Sequence, residues 1–497
     1  MLYVSDAWLE AVRSPIRPAA HLKVLLDREP KAVPTGFLTS ELEIFVTSDG
    51  DIFQVYDEIT TVLFEDADII SATQSWYCSP IMSQLPSYTF TCVLHNKDNM
   101  FNPENPTGLV GSLLTNKKIK VTWGFDLPTG TEWLDAGVYY LSQWDIDPEN
   151  LSATISGIFI LDLAISEYTN GIYNASGTTY YDLLNSVLNF SGINNYTATE
   201  SKPWSIPNDF KNYSTMIPLH TDPCNSLIQT LVGGTRHVIF PDPITGDIVF
   251  QRPTFVQNVY GISKNILLSK TAITLDTELK DCYANTYRTQ VATDVTTIYE
   301  EEMSVAGSYV FDSISSTPYT SYILTVTSDD DSVTGSMTFQ GAYKVSITLT
   351  GTGTASVVLT GKKIEFSSIP ITTYSNPTGT GEDCIIDNAY ISNVFDAEEL
   401  SDYTAKILQY RQRLSADFSG DPAIQPLDVI EIATDFGNVP IIVTKVVTEF
   451  DGGWSGTIEG IQTIYEGGLP GRDPITGTFY LENNRTTQVM SRERSES

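Results

Sequence analysis

The sequence predicts a mainly β protein with a minor α+β part, and three observations carry that prediction. The first is composition. Charged residues make up 18% of the 497, and Thr, Ser, Tyr, Ile and Val are abundant. That charge content lies below the ~25% usual in globular domains, and the residue types suit pleated, half-buried surfaces. The second is alternation of apolar and polar residues through 88–162, broken by turn residues. The third is a repeated phrase, "ATISGI" at 153–158 and "GTIEGI" at 456–461.

The elements follow in order. "SDAWLEAV" (5–12) predicts a short amphipathic helix with Ser5 as N-cap and Pro15 as its stop. "HLKVLLD" (21–27) predicts a first strand. "YTFTCVLHN", "KKIKVTWGF", "GVYYLSQWDI" and "LSATISGIFILDL" predict four more, separated by "NPENPTG" and "DLPTGTE". Hairpin-linked strands at this spacing suggest a barrel or sandwich.

Residues 176–240 change character. "SGTTYYDLLNSVLNFSGI" predicts a helix on Tyr180, Leu183, Leu184, Val187 and Leu188, and "TDPCNSLIQTLVGGT" predicts another closed by Gly-Gly. "HVIFPDPITGDIVFQRP" predicts a hairpin. Residues 303–382 read as a β-sandwich inserted into another domain, because "LKDCYANTYRTQ" and "CIIDNAYIS" on its flanks look like strands of one sheet. A surface insertion tolerates removal, so deleting 303–382 is expected to leave the rest folded. "FDAEELSDYTAKILQYRQRLSADF" predicts a helix with Asp396 as N-cap, Glu399 completing a capping box, and Leu400, Tyr403, Ile407, Leu408 and Leu414 on one face. "LDVIEIATDFG", "PIIVTKVVTEF" and "WSGTIEGIQTIY" then predict three strands, followed by a polar tail from about 466.

Charge and cysteine bound the function. A net charge of −33 disfavours gripping nucleic acid or an anionic membrane. Five dispersed cysteines (Cys78, Cys92, Cys224, Cys282 and Cys384), without a C-x-x-C, read as free buried thiols of a reducing compartment. "MLYVSDAWLEAVRSPIRP" has no apolar core of a signal peptide, and no apolar run reaches ~18 residues, so neither secretion nor a membrane span is expected.

The search for chemistry is equally restrictive. His21, His95, His220 and His237 show no metal-ligand spacing. "GGWSGT" is a near-miss for the nucleophile elbow, with Thr457 in place of the last Gly and Ser455 inside a strand hairpin. Asp329, Asp330 and Asp331 lack EF-hand spacing, and the glycine-rich "GTGTASVVLTG" and "GGTRH" lack the P-loop Lys. No catalytic, cofactor-binding or metal-ligating residue is assigned, and no enzyme is expected.

The repeat is longer than its core. "VYYLSQWDIDPENLSATISGI" aligns without a gap on "IIVTKVVTEFDGGWSGTIEGI", sharing Ser152/Ser455, Thr154/Thr457, Ile155/Ile458, Gly157/Gly460 and Ile158/Ile461. "KKIKVTWGF" precedes one hairpin as "LDVIEIATDFG" precedes the other. Chance reuse of T-I-x-G competes with duplication, and the ungapped stretch favours duplication. Two like domains per chain, three chains per ring, present six similar units and match three-fold to six-fold symmetry.

At this point the chain resembles the tail-hub (baseplate-hub) proteins of tailed bacteriophages and related contractile injection machines. The likeness rests on "DADIISATQSWYCSPIMSQLPSYTFTCVLHNKDNMFNPENPTGL", "GVYYLSQWDIDPENLSATISGI" and "GDPAIQPLDVIEI…PIIVTKVVTEFDGGWSGTIEGI", in that order over most of 18–465. It implies an N-terminal helix or arm (1–17), a first tail-tube-like β-barrel (18–165) and an α+β domain (166–268). A second barrel (269–302 plus 383–465, with helix 396–415), the inserted β-sandwich (303–382) and an extended tail (466–497) complete it. The implied role is structural: a homotrimeric ring closing the distal end of a hexameric tail tube and forming part of the DNA ejection channel. Its implied partners are the tail tube or distal tail protein, the tape-measure protein and tail-tip or fibre proteins. DNA passes through without being specifically bound. The implied place is the distal tail of the virion, after synthesis in the host bacterial cytoplasm. The tail after 466 is too short for the peptidoglycan-cleaving domain some hubs carry. A second class stays open, a receptor- or carbohydrate-binding tail-tip protein using 303–382, with Tyr309, Tyr319, Tyr322 and Tyr343 as stacking residues.

Overall fold

The computed structural model of the chain describes most of residues 2–463 and the pair 478–479. The segments 28–31, 34–54, 57–60, 103–104, 106–107, 109–116, 194–201, 329–331, 377–378, 464–477 and 480–497, with a few single residues, lie outside the described residues. The fold is mainly β. Among the described residues, fourteen strands form one sheet, five form a second, and there are four α-helices.

Helix α1 (Asp6–Arg13) is capped as expected, Ser5 accepting from the Trp8 amide. Its Trp8 is wholly buried, 5.6 Å from the Phe125 ring and 5.3 Å from that of Trp454. The Trp8 indole donates to Asp421 at 3.3 Å. One helix thus clamps residues from opposite ends of the chain into a single core.

The first set of strands is β1 (Ala20–Asp27), β2 (Thr61–Phe64), β3 (Ile69–Tyr77), β4 (Ser87–His95), β5 (Lys118–Leu127), β6 (Gly130–Asp147) and β7 (Ser152–Ile158). Their alternation buries Phe90, Cys92 and Leu94 on β4 and Ile119, Val121, Trp123 and Phe125 on β5. Helices α2 (Tyr180–Phe190, capped by Thr179) and α3 (Cys224–Gly233) follow, then the hairpin β8 (Val238–Pro241) and β9 (Ile248–Gln251). His237 lies buried at the start of this hairpin, its ring centroid 4.3 Å from that of Phe210 and its Nε2 2.8 Å from Asp209.

The second set is β10 (Phe255–Ile262), β11 (Ala272–Leu275), and, after a long excursion, β17 (Gln412–Phe418), β18 (Val429–Thr434), β19 (Gly437–Phe450) and β20 (Trp454–Gln462). The excursion comprises β12 (Leu279–Ile314), β13 (Tyr319–Ser328), β14 (Val333–Gln340), β15 (Lys344–Ser375), β16 (Glu382–Ile386) and α4 (Val394–Leu408). The flanks do share one sheet, since β12 pairs with β16 in parallel. That sheet is the five-stranded one of the excursion itself. Strand β12 runs across residue 303, and its ladder with β15 continues down to Asp281 opposite Ser375, so the limit read at 302/303 falls inside a strand.

The helix read over 396–415 differs in the structure. It starts earlier, with Asn393 as the cap accepting from the Phe395 amide, and ends at Leu408. Leu414, assigned to the helix face, lies on β17, where Leu414, Ala416 and Phe418 alternate inward. The period changes from helical to two at Gln412, and a short apolar run carries both patterns equally well.

Four cysteines (Cys78, Cys92, Cys224 and Cys282) are buried and Cys384 is half-buried, all as free thiols. Burial pushes the Cys78 thiol up to about 12. Among the described residues, no helix is long and apolar enough to cross a membrane.

Candidate functional site

The repeat is written into the strand pairing. In the first copy β3 pairs β4, β4 pairs β7, β7 pairs β6, and β6 pairs β5. In the second, β11 pairs β17, β17 pairs β20, β20 pairs β19, and β19 pairs β18. The long strands β6 and β19 both carry an irregularity in mid-course. Leu141 faces Gly157 and Gln143 faces Ser156, leaving Ser142 as the extra residue; Val443 faces Gly460 and Lys445 faces Glu459, leaving Thr444 extra. A bulge at this point bends the strand, and each half then serves a different partner.

The equivalence refines the alignment. Strands β7 and β20 match at an offset of 303 residues, as read from sequence, but β6 and β19 match at 302. The turn between Glu449 and Ser455 holds one residue more than that between Asp147 and Ser152. The ungapped alignment therefore slips β19 by one position, which in a strand moves every side chain to the other face.

The two copies join directly. Residues 445–450 of β19 pair antiparallel with 72–77 of β3, from Lys445↔Tyr77 to Phe450↔Ala72. The result is a continuous ribbon of eight strands, β11-β17-β20-β19-β3-β4-β7-β6, four from each copy. One face is the core, with Trp76, Phe90, Ile155, Val446 and Ile458 buried.

The other face follows from the register and is mainly polar, with Val93, Ile158 and Val447 among its hydroxyls. It carries Thr73 and Ser75 (β3), Thr89 and Thr91 (β4), Thr154 and Ser156 (β7), and Ser455 and Thr457 (β20). Its charges are Asp145, Asp147, Asp417, Glu449 and Glu459 against Arg413 and Lys445. Both cations are neutralised locally, Lys445 by Glu459 at 2.8 Å and Arg413 by Asp276 at 2.5 Å. The carboxylates are held in place, Asp417 by Thr457 at 2.9 Å and Asp145 by Gln143 at 2.9 Å. Hydrogen bonds from Asn150 lower the Asp147 pKa. At the end of the ribbon nearest the second bulge, Tyr403 and Ile407 of α4 cover Ile442 and Ile461. A cavity of about 690 Å³ opens there, lined by Tyr77, Met82, Gln229, Asn388 and Glu459.

The residues singled out in the sequence are placed as follows. Ser455 lies on β20 with its hydroxyl 3.3 Å from Glu449, within the polar face and not at a strand-to-helix turn. Asp329, Asp330 and Asp331 lie outside the described residues. The four tyrosines do not form one surface. Tyr343 is buried with its ring centroid 4.7 Å from that of His220, and Tyr322 donates to the Gly341 and Ala342 carbonyls at 2.8 and 3.0 Å. Tyr309 is exposed on β12 and Tyr319 half-buried on β13. Sequence reasoning missed β11, whose "AITL" is too short to show its period.

No protein-family model and no curated protein matches the sequence. Among the solved structures similar to the fold are three tail proteins. The 43 kDa tail protein of prophage MuSo2 from Shewanella oneidensis is 10% identical, with 88% of this chain and 98% of that chain covered, at a TM-score of 0.42. The tail protein from Neisseria meningitidis MC58 is 8% identical, over 80% of this chain and 93% of that one, with a TM-score of 0.42. The prophage tail protein gp18 from Listeria monocytogenes EGD-e is 11% identical, over 80% and 91%, with a TM-score of 0.41. These are loose likenesses; the ribbon and its polar face stand on this chain's own residues.

Proposed function

We propose that the chain is a structural tail-hub protein of a phage tail tip. Three copies close a ring at the distal end of a hexameric tail tube, adapt six-fold to three-fold symmetry, and line part of the channel through which DNA leaves. The observation that carries this reading is the ribbon: two equivalent four-stranded units lie side by side in one chain, joined edge to edge, so three chains supply six like units. The polar face suits the channel wall. Duplex DNA carries one negative charge per ~1.7 Å and is held by Lys and Arg that release counterions. A face of hydroxyls and carboxylates, its two cations already paired, lets the duplex pass. The neighbours in this reading are the tube or distal tail protein on the six-fold side, and tape-measure and fibre proteins beyond. Quantitative peptide mass spectrometry of virions carrying the chain tests it: three copies are expected for each six tube subunits of one tube ring, and six copies would overturn it.

A further inference from the structure

The ribbon has two open ends among the described residues. At one, β11 pairs only with β17. At the other, residues 143–147 of β6 pair only with β7. An open strand edge is a template for another strand, and these two edges have equivalents that are already joined within the chain. By the pairing pattern, Thr73 of β3 corresponds to Ala272 of β11, since each faces the equivalent residue on the next strand, Thr91 and Ser415, and these in turn face Ser156 and Glu459. Glu449 of β19 corresponds to Asp147 of β6 in the same way. Thr73 and Glu449 face each other in the internal joint.

We infer that β11 of each chain takes as its next strand residues 143–147 of β6 from a second copy of the chain, antiparallel, with Ala272 opposite Asp147, Ile273 opposite Ile146, Thr274 opposite Asp145 and Leu275 opposite Trp144. The inference rests on the ring reading above and names its seam.

The side chains agree with the register. In the internal joint the core-facing pairs are Val446 with Trp76 and Thr448 with Gln74, all at most 4% exposed. Their equivalents on β11, Leu275 and Ile273, are 67% and 45% exposed. Trp144 and Ile146, on the other edge, are only half-buried. The register sets Trp144 on Leu275 and Ile146 on Ile273, so the apolar residues left open on each edge meet on the core side. Asp145 then lies across Thr274 from Arg413, an acidic residue toward a basic one. The two edges differ, so the contact is head-to-tail, and such contacts generate closed rings or open filaments.

The test is a cysteine pair in the full chain, Asp147→Cys with Ala272→Cys, treated with a short bis-methanethiosulfonate reagent, beside the slipped pair Ile146→Cys with Ala272→Cys. Opposed Cβ atoms lie ~5 Å apart, whereas the slipped pair points to opposite faces. The expected result is a covalent three-chain species formed at least ~10-fold faster by the in-register pair. A covalent ladder that runs past three chains would keep the seam and overturn the three-fold ring. A ring of three seen by mass photometry without cross-linking would overturn the seam and keep the ring. No association and no cross-link would overturn both. As a second arm, Ile273→Asp with Leu275→Asp, at exposed positions, is expected to abolish the ring while leaving the monomer's melting curve unchanged; a ring that persists contradicts the seam.

Discussion

Ser142 and Thr444, 302 residues apart, occupy the same bulge and make the same hydrogen bond: the Ser142 hydroxyl donates to the Ser156 carbonyl at 3.1 Å and the Thr444 hydroxyl to the Glu459 carbonyl at 3.3 Å. Ser156 and Glu459 are themselves equivalent, 303 residues apart. A shared residue motif arises readily by chance among strands. A shared bulge with the same bond at the same rung does not, because the bulge is the point where each long strand passes from its outer partner to the ribbon.

The two glycines of the repeat should respond alike. A Cβ on Gly157 would lie 2.8 Å from the Tyr139 Cβ, and one on Gly460 would lie 2.7 Å from the Ile442 carbonyl oxygen and 2.8 Å from Ile441 Cδ1. Tyr139 and Ile441 are equivalent positions. Gly157→Val and Gly460→Val are each expected to lower stability by roughly 1–3 kcal/mol through overpacking, read by urea denaturation. A large loss at one site and none at the other would contradict the equivalence.

His237 gives the fold a pH dependence of known sign. Desolvation draws its pKa down from 6.5 to about 4; the Asp209 carboxylate opposes this, while Arg252 and Arg236 reinforce it. A histidine held neutral in the fold stabilises fully above its unfolded pKa, and that stability is lost as pH falls from about 6.5 toward 4. The loss is on the order of 1–3 kcal/mol. His237→Gln, which cannot gain a proton there, should show a smaller fall in melting temperature between pH 7 and pH 4.5 than the parent chain. An identical fall in both would contradict this.

The excursion is expected to tolerate a deletion, but not one cut at 303 and 382. That cut deletes the whole of β15 and leaves residues 281–291 of β12 without their antiparallel partner. It also takes Ile371 and Tyr374 away from the α4 side, where they pack with Leu400 and Ala405. Joining Val291 to Ile364 through a short glycine bridge preserves that ladder, since these two residues face each other. The shorter deletion should yield soluble protein melting near the parent temperature, and the longer one should not. Comparable yields from both would show that β15 does not support α4.

Much of this was legible in the sequence. The cap at Ser5, the paired helices, the hairpins and the repeat all announce themselves through local chemistry. Three features did not. The end of α4 hid behind Leu414, whose spacing fits a helix face and a strand equally. The offset of 302 hid in a turn one residue longer, which no side chain marks. The seam depends on β11, where four residues in a polar stretch acquire meaning only from their place beside β17. Tertiary pairing, unlike capping, leaves no local signature.

The polar face should be indifferent to DNA until its charge is reversed. The ring is expected to show no duplex binding by fluorescence anisotropy at about 0.15 M salt. Asp417→Lys with Glu449→Lys, both on the polar face, should create binding that weakens steeply with salt. Tight binding by the parent ring would indicate a gripping surface and contradict passage.

The most direct test of the central claim is a cryo-EM reconstruction of the assembled ring, without imposed symmetry, at a resolution that separates strands. Three chains are predicted, with six near-equivalent four-stranded units in one closed barrel and the hydroxyl- and carboxylate-bearing face toward the axis. A ring of six chains, or Lys and Arg in clear excess on the axis-facing surface, would contradict it.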